Sequence, residues 1–239
     1  MDLTNFSALS FDCYGTLIDW ETGIFEAMQP WMHRTGLVSE REEMLRHFGA
    51  FETVVQSEIP YLLYPLVLAE TLRRIAAYLG TVVTEAEADA FGDSVGNWPA
   101  FPDSADALQR LQRRIKLIIL SNVNRGSFAL SQKKLGVEFD LVITAEDVGA
   151  YKPDQRNFDH LIAGLGSIGV HRSELVHVAE SLYHDHGPAQ RNNLPGVWIH
   201  RRHSKDGTGA THTPVGVAEP ECRYTSMAAF TDDALAVGR

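Results

Sequence analysis

Short apolar segments of strand length recur along this chain at Ala8–Phe11, Leu117–Leu120, Leu141–Thr144, Leu175–Ala179 and Val197–His200. Stretches of helical length, such as Ser104–Arg114 and Arg125–Leu135, separate the later ones. Strand–helix alternation of this kind argues for a parallel sheet covered by helices on both faces, an α/β, Rossmann-like core. In such sheets ligands bind at the carboxyl ends of the strands. Asp12, the pair Ser121-Asn122, and the acidic region holding Glu180 and Asp185 each fall just after a strand-like run. Separate segments thus deliver polar residues to one edge of the sheet.

The alternation breaks between residues 20 and 98. Trp20–Arg34, Ser39–Ser57, Pro65–Leu79 and Glu85–Phe91 read as helices, and Ser39 with Glu42 three residues on fits a capping box. A helical cap inserted between the first and second strands accounts for this, with Pro99 and Pro102 marking the return. The expected division is a core of residues 1–19 and 99–239 and a cap of residues 20–98. Arg202–Val215, rich in Gly, Thr and His, reads as a mobile loop before a last short strand near Cys222–Thr225.

A chain of 239 residues can bury a sizeable core. No apolar run approaches the roughly 20 residues that span a bilayer, so no membrane association is expected. The stretch MDLTNFSALS lacks a basic region followed by an apolar one, which argues against a secretory signal. A net charge of −10, with no basic cluster beyond Arg201-Arg202, speaks against nucleic acid or an anionic membrane as partner. Cys13 and Cys222 form no C-x-x-C pair, so a zinc site is not expected and a reducing cytoplasm is the simplest home.

Four motifs follow one another in order: Asp12 in FDCYGTL, Ser121-Asn122 in IILSNV, Lys152 in YKPD, and Glu180 to Asp185 in VAESLYHD. Taken singly, a strand-end aspartate is more often a helix cap and a Ser-Asn pair more often a turn. Together, and in this order, the chain resembles the haloacid dehalogenase superfamily, most closely the branch of L-2-haloacid dehalogenases and their relatives. The resemblance covers nearly the whole chain and implies a core of this kind with an inserted helical cap. It makes Asp12 an oxygen nucleophile that forms a covalent ester. Ser121 and Asn122 are expected to hold a carboxylate oxygen by hydrogen bonds, and Lys152 to keep Asp12 ionised. Asp185 is expected to accept a proton from water or to hold Lys152. Lys152 is expected at an exposed strand-end site, where its removal costs little stability.

The reaction class turns on Tyr14. Phosphatase members of the superfamily carry a second aspartate there, which protonates the leaving oxygen. A tyrosine is a poor general acid at neutral pH but can shape a pocket and donate a hydrogen bond. A halide leaves without a proton, so Tyr14 points towards displacement at carbon. The resemblance then implies a small carboxylic acid as substrate, no metal and no other cofactor. It leaves open whether a halide departs or the C–N ring bond of L-azetidine-2-carboxylate opens, as in one member of the branch.

Thr16, Trp20, Arg46, His47, Glu180 and Ser181 complete the expected substrate site, with Arg46 placed against the substrate carboxylate or halide. Trp20, Tyr61 and Phe48 are candidates for an apolar wall, with core packing the rival role for Phe48. His184 and His186 are expected to hydrogen-bond around Asp185. Glu180 departs from the dehalogenase pattern, and acidic spacing to Asp185 keeps a magnesium-dependent phosphatase as the alternative. A binding protein that keeps the fold without turnover is the third reading. Relatives often dimerise through the cap, which leaves a homodimer as an open expectation.

Overall fold

The computed structural model describes residues 2–205, 207–212 and 215–236. Six strands form one parallel sheet: β1 (Ala8–Phe11), β2 (Lys116–Ser121), β3 (Leu141–Thr144), β4 (Leu175–Ala179), β5 (Gly196–Ile199) and β6 (Cys222–Tyr224). Their order across the sheet is β3-β2-β1-β4-β5-β6. The order reverses at β1, which puts the crevice for a ligand just beyond its carboxyl end. Asp12 is the first residue past that end.

The continuous apolar character of the strands follows from burial on both faces. Leu9, Phe11, Leu117, Ile119, Val176 and Val178 belong to one buried cluster. Their alternates Ala8, Ile118, Leu120 and Leu175 belong to a second. Side chains alternate along a strand, so each strand feeds both clusters. The helices α5 (Ser104–Leu111), α6 (Arg125–Leu135) and α10 (Met227–Ala236) cover the first cluster through residues such as Leu108, Phe128 and Phe230. The helices α8 (Gln155–Gly164) and α9 (Gly187–Arg191) cover the second through Phe158, Leu161 and Ala189. The four-residue α7 (Ala145–Val148) precedes α8.

Between β1 and β2 the chain makes α1 (Trp20–Thr35), α2 (Arg41–Glu58), α3 (Tyr64–Tyr78) and α4 (Glu85–Gly92). Two passages join these helices to the sheet. They are laced together where Asp19 N–H donates to Pro99 O (2.8 Å) and Phe101 N–H donates to Leu17 O (3.0 Å). Met44, Phe48, Val55, Leu68 and Leu72 of these helices belong to the same continuous buried cluster as one face of the sheet. Among the described residues no helix is long and apolar enough to cross a membrane.

Two local expectations change. The capping box at Ser39 and Glu42 does not form: α2 starts at Arg41, which puts Glu42 one residue too early, and the Ser39 hydroxyl donates to Glu43 instead (2.8 Å). A capping box does head α4, at Thr84 and Glu87. The stretch after β5 is anchored rather than loose in its described part. Arg202, almost wholly buried, pairs with Glu21 (2.5 Å) and Glu42 (2.6 Å), and Ala210 N–H donates to Glu21 (3.2 Å). Asp206, Thr213 and Pro214 of that stretch lie outside the described residues.

Gly23 lets α1 lie directly on Trp98, since a Cβ there would sit 2.2 Å from Trp98 Cγ. Gly23→Ala is therefore expected to cost about 1–3 kcal/mol through overpacking, read as a lower urea midpoint at unchanged slope. An unchanged midpoint would mean that this contact is not tight.

Candidate active site

The Lys152 ammonium is the centre of the site. It donates to Asp12 Oδ1 (2.9 Å), Asp185 Oδ1 (2.7 Å) and Leu120 O (2.9 Å), which uses all three of its protons. Lys152 is only 2% exposed, and Asp12 and Asp185 are also buried. The expectation of an exposed strand-end lysine is therefore wrong: the segment after α7 turns inward across the end of β2. The two carboxylates hold the Lys152 ammonium above its ordinary pKa against the opposing pull of burial. Burial pushes the Asp12 carboxyl up and Lys152 pulls it down, with a net upward shift. Asp185 is held far below the usual carboxylate range; burial opposes this, and the charge of Lys152 and the hydrogen bond from His177 outweigh it.

Asn122 acts on this lysine rather than on Asp12. Its Nδ2 donates to Lys152 O (3.1 Å) and its Oδ1 accepts from Lys152 N–H (2.6 Å), clamping the backbone that carries the ammonium. The second oxygen of Asp12 is held by Thr16, whose hydroxyl donates to Oδ2 (2.8 Å). Thr16 in turn accepts from Glu180 N–H (2.9 Å), which ties the loop after β1 to the loop after β4. The Ser121 hydroxyl is buried with no partner among the described residues, so neither member of the Ser-Asn pair bonds Asp12.

Asp185 sits in a π-helical turn, Leu182–His186. Its partner is His177 of β4, which the sequence reading missed. His177 Nε2 lies 3.0 Å from Asp185 Oδ1 and Nδ1 lies 2.9 Å from the Ser10 hydroxyl, in register on β1. With its proton on Nε2 the ring donates to Asp185 and accepts from Ser10. The flanking histidines do other work: His184 Nδ1 meets the Ser181 hydroxyl (3.2 Å) and His186 Nε2 meets Ala179 O (3.0 Å). Asp185 Oδ2 is buried with no partner among the described residues.

Tyr14 turns away from the role of an acid. Its hydroxyl pairs with the Ser131 hydroxyl (2.8 Å), and its ring meets Trp98 edge-on at 5.7 Å. Burial, with Cys13 beside it, pushes the phenol well above its ordinary pKa.

A cavity of about 40 Å³ opens beside Asp12 and Lys152. Tyr14, Trp20, Asn122, Glu180, Ser181 and Asp185 line it, as expected of a substrate site. So do Glu52 and Gln56 of α2, Tyr64 at the start of α3, and Thr211, which the sequence reading did not single out. The signal for Glu52 was present: it continues the buried stripe Met44, Leu45, Phe48 of α2 at helical spacing, where apolar residues belong. Burial lifts Glu52 to about 7 and Glu180 to about 8, the latter with help from Glu21 and Asp12. Burial also pushes the His184 imidazole down to about 4.

Arg46 and His47 do not reach this cavity. Arg46 is exposed on the outer side of α2, and His47 packs on Tyr78 with ring centres 5.1 Å apart. Both lie at helix positions that turn away from the stripe through Phe48 and Glu52. Tyr61 is exposed, and Phe48 is a core residue set edge-on to Trp20. Among the described residues no three His, Cys, Asp or Glu side chains are grouped to hold a metal ion. Asp185 instead directs Oδ1 at Lys152 and His177.

Removing the ammonium would leave two buried carboxylates facing each other. Lys152→Ala is thus expected to abolish turnover and to cost about 3–5 kcal/mol of stability, measured by urea denaturation at pH 7. Wild-type stability in that variant would show that the carboxylates are not desolvated as the geometry requires.

The haloacid dehalogenase-like hydrolase family matches this sequence over residues 6–183. The (S)-2-haloacid dehalogenase of Pseudomonas sp. (strain YL) is 26% identical over 229 residues, covering 94% of this chain and 92% of that protein. The (S)-2-haloacid dehalogenase H-109 of Pseudomonas putida is 25% identical, covering 85% and 90%. The structure of the L-2-haloacid dehalogenase from Xanthobacter autotrophicus with chloropropionic acid covalently bound superposes with a TM-score of 0.78 at 19% identity, over 98% of this chain and 99% of that one. The structure of the HAD-hydrolase candidate YfnB of Bacillus subtilis bound to magnesium superposes with a TM-score of 0.75 at 13% identity, over 94% of this chain and 96% of that one. With the family matched over most of its length, this chain belongs to the haloacid dehalogenase-like hydrolases.

Proposed function

We propose that the protein hydrolyses a bond at an sp3 carbon of a small carboxylic acid without metal, through an ester on Asp12, in the manner of a 2-haloacid dehalogenase. The observation that carries this is Tyr14. It stands where a phosphoester reaction needs an acid, yet its hydroxyl is engaged with Ser131 and its pKa is driven up. Chloride and bromide are anions of strong acids and leave without a proton. The names of the relatives point the same way.

In this reading an Asp12 oxygen attacks the carbon as the carbon–halogen bond breaks, and the halide leaves with the electron pair. Lys152 and Thr16 fix the carboxylate for that approach, so the displacement is effectively intramolecular. Water then attacks the ester carbonyl of Asp12. Asp185, on the cavity wall with its Oδ1 held by Lys152 and His177, is the carboxylate that orients that water. The products are a hydroxy acid, a halide ion and a proton, and Asp12 is restored.

Opening of the C–N ring bond in L-azetidine-2-carboxylate is a second reading. It uses the same nucleophile, with ring strain in place of a weakly basic leaving group, and Glu180 on the cavity wall favours it. Both readings are tested by one panel: the two enantiomers of 2-chloropropionate, fluoroacetate, L-azetidine-2-carboxylate and p-nitrophenyl phosphate, each with and without EDTA. Turnover of a haloacid or of the ring amine is expected, unchanged by EDTA and abolished by Asp12→Asn. Magnesium-dependent hydrolysis of p-nitrophenyl phosphate as the main activity would overturn the proposal.

A further inference from the structure

The cavity has an unusual charge balance. It is lined by the carboxyl groups of Asp12, Asp185, Glu52 and Glu180. Lys152 is the one lysine or arginine among its described lining residues, and its three protons are already donated within the protein. His184 is held neutral by burial, and Arg46 lies outside. A substrate carrying only a negative charge finds no free cation here.

We propose that Glu52, with Gln56 beside it and Tyr64 holding it, is a receptor for a cationic nitrogen, so that the substrate carries an ammonium or amine group as well as its reacting carbon. The second half of that statement rests on the proposed reaction; the receptor itself does not.

Glu52 is 5% exposed and sits among apolar neighbours on the inner stripe of α2. Among the described residues no cation pairs with it. A buried carboxyl without a cation is costly, and an apolar residue of similar size would fit this stripe at less cost. The group is nevertheless well oriented. Tyr64 donates its hydroxyl to Glu52 Oε1 (2.8 Å). Tyr64 is itself fixed edge-on to Trp98 at 6.4 Å and beside Tyr151 at 6.4 Å. Tyr151 in turn donates to Leu62 O (2.6 Å).

That mount leaves Glu52 Oε2 for the cavity. Gln56, one helical turn further along the same face, also lines the cavity, and its amide can offer a second acceptor oxygen there. An ammonium group can donate to both, with the rings of Trp20 and Tyr64 lining the same small space. The incoming charge supplies the partner that Glu52 lacks. The cavity, at about 40 Å³, is small, in keeping with a small ligand.

Calorimetric titration at pH 8 with ethylammonium and with propionate tests this without any turnover, since neither probe has a leaving group. The wild-type protein is expected to bind ethylammonium at least tenfold more tightly than propionate. Glu52→Gln, with its fold checked by circular dichroism, should weaken ethylammonium at least tenfold and leave propionate unchanged or tighter. Glu52→Asp should retain part of the affinity. Gln56→Met should weaken ethylammonium several-fold, and it serves if the Glu52 variants do not fold. Preference of the wild type for propionate would mean that Glu52 is a protonated donor to a carboxylate, and would overturn the proposal. Ethylammonium binding unchanged in Glu52→Gln, or in Gln56→Met where it is the variant available, would overturn it as well. Ethylammonium selectivity without haloacid or ring-amine turnover would uphold the receptor and sink only the proposed reaction.

Discussion

The structure depends on one buried ammonium group shared between two buried carboxylates. Taking Lys152 out of water costs several kcal/mol, and only close, fully hydrogen-bonded partners offset that. Asp12, Asp185 and the carbonyl of Leu120 provide them. These partners come from the ends of β1, β2 and β4, which are neighbours in the sheet order β2-β1-β4. The sheet topology is thus what lets three distant segments meet at one nitrogen. A surrounding set of hydrogen bonds keeps each partner in place: Asn122 clamps the Lys152 backbone, Thr16 ties Asp12 to the loop after β4, and Ser10 supports His177 against Asp185.

Around this centre the walls narrow the chemistry. Tyr14 is bound to Ser131 and braced on Trp98, so it shapes the pocket rather than serving as an acid. Trp20 and Tyr64 add aromatic surface, and Glu52 and Glu180 add carboxyl groups that burial pushes up to about 7 and about 8. Thr211 closes part of the rim from a stretch that Arg202 pins to α1 and α2 through Glu21 and Glu42. The helices between β1 and β2 and the segment after β5 therefore define the cavity jointly.

Much of the core was legible in the chain. Ala8–Phe11, Leu141–Thr144, Leu175–Ala179 and Arg125–Leu135 appear in the structure with those bounds, because doubly buried strands are apolar throughout and their crossover helices are not. Asp12, Lys152 and Asp185 were legible as a set because their motifs follow one another in the order of the family the chain resembles. What was not legible depends on side-chain direction. Arg46 and His47 lie in the right helix but on its outer side, and only the position of Phe48 and Glu52 inside the stripe shows it. His177 escaped notice because one polar residue inside an apolar strand looks like a packing detail until Ser10 is seen opposite it. Lys152 looked exposed because no strand follows it closely. Asn122 was expected to hold Asp12, yet its amide matches the backbone of Lys152, a pairing that exists only once α7 and the turn after it are in place.

The central claim is that Asp12, held by Lys152, attacks carbon. A single turnover of 2-chloropropionate or L-azetidine-2-carboxylate in oxygen-18 water, with enzyme in excess, tests it most directly. Mass spectrometry of the peptide containing Asp12 should find the label in its carboxylate, with none in the new hydroxyl of the product. Label in the product hydroxyl and none in that peptide would show that water attacks the substrate directly, and would contradict the account.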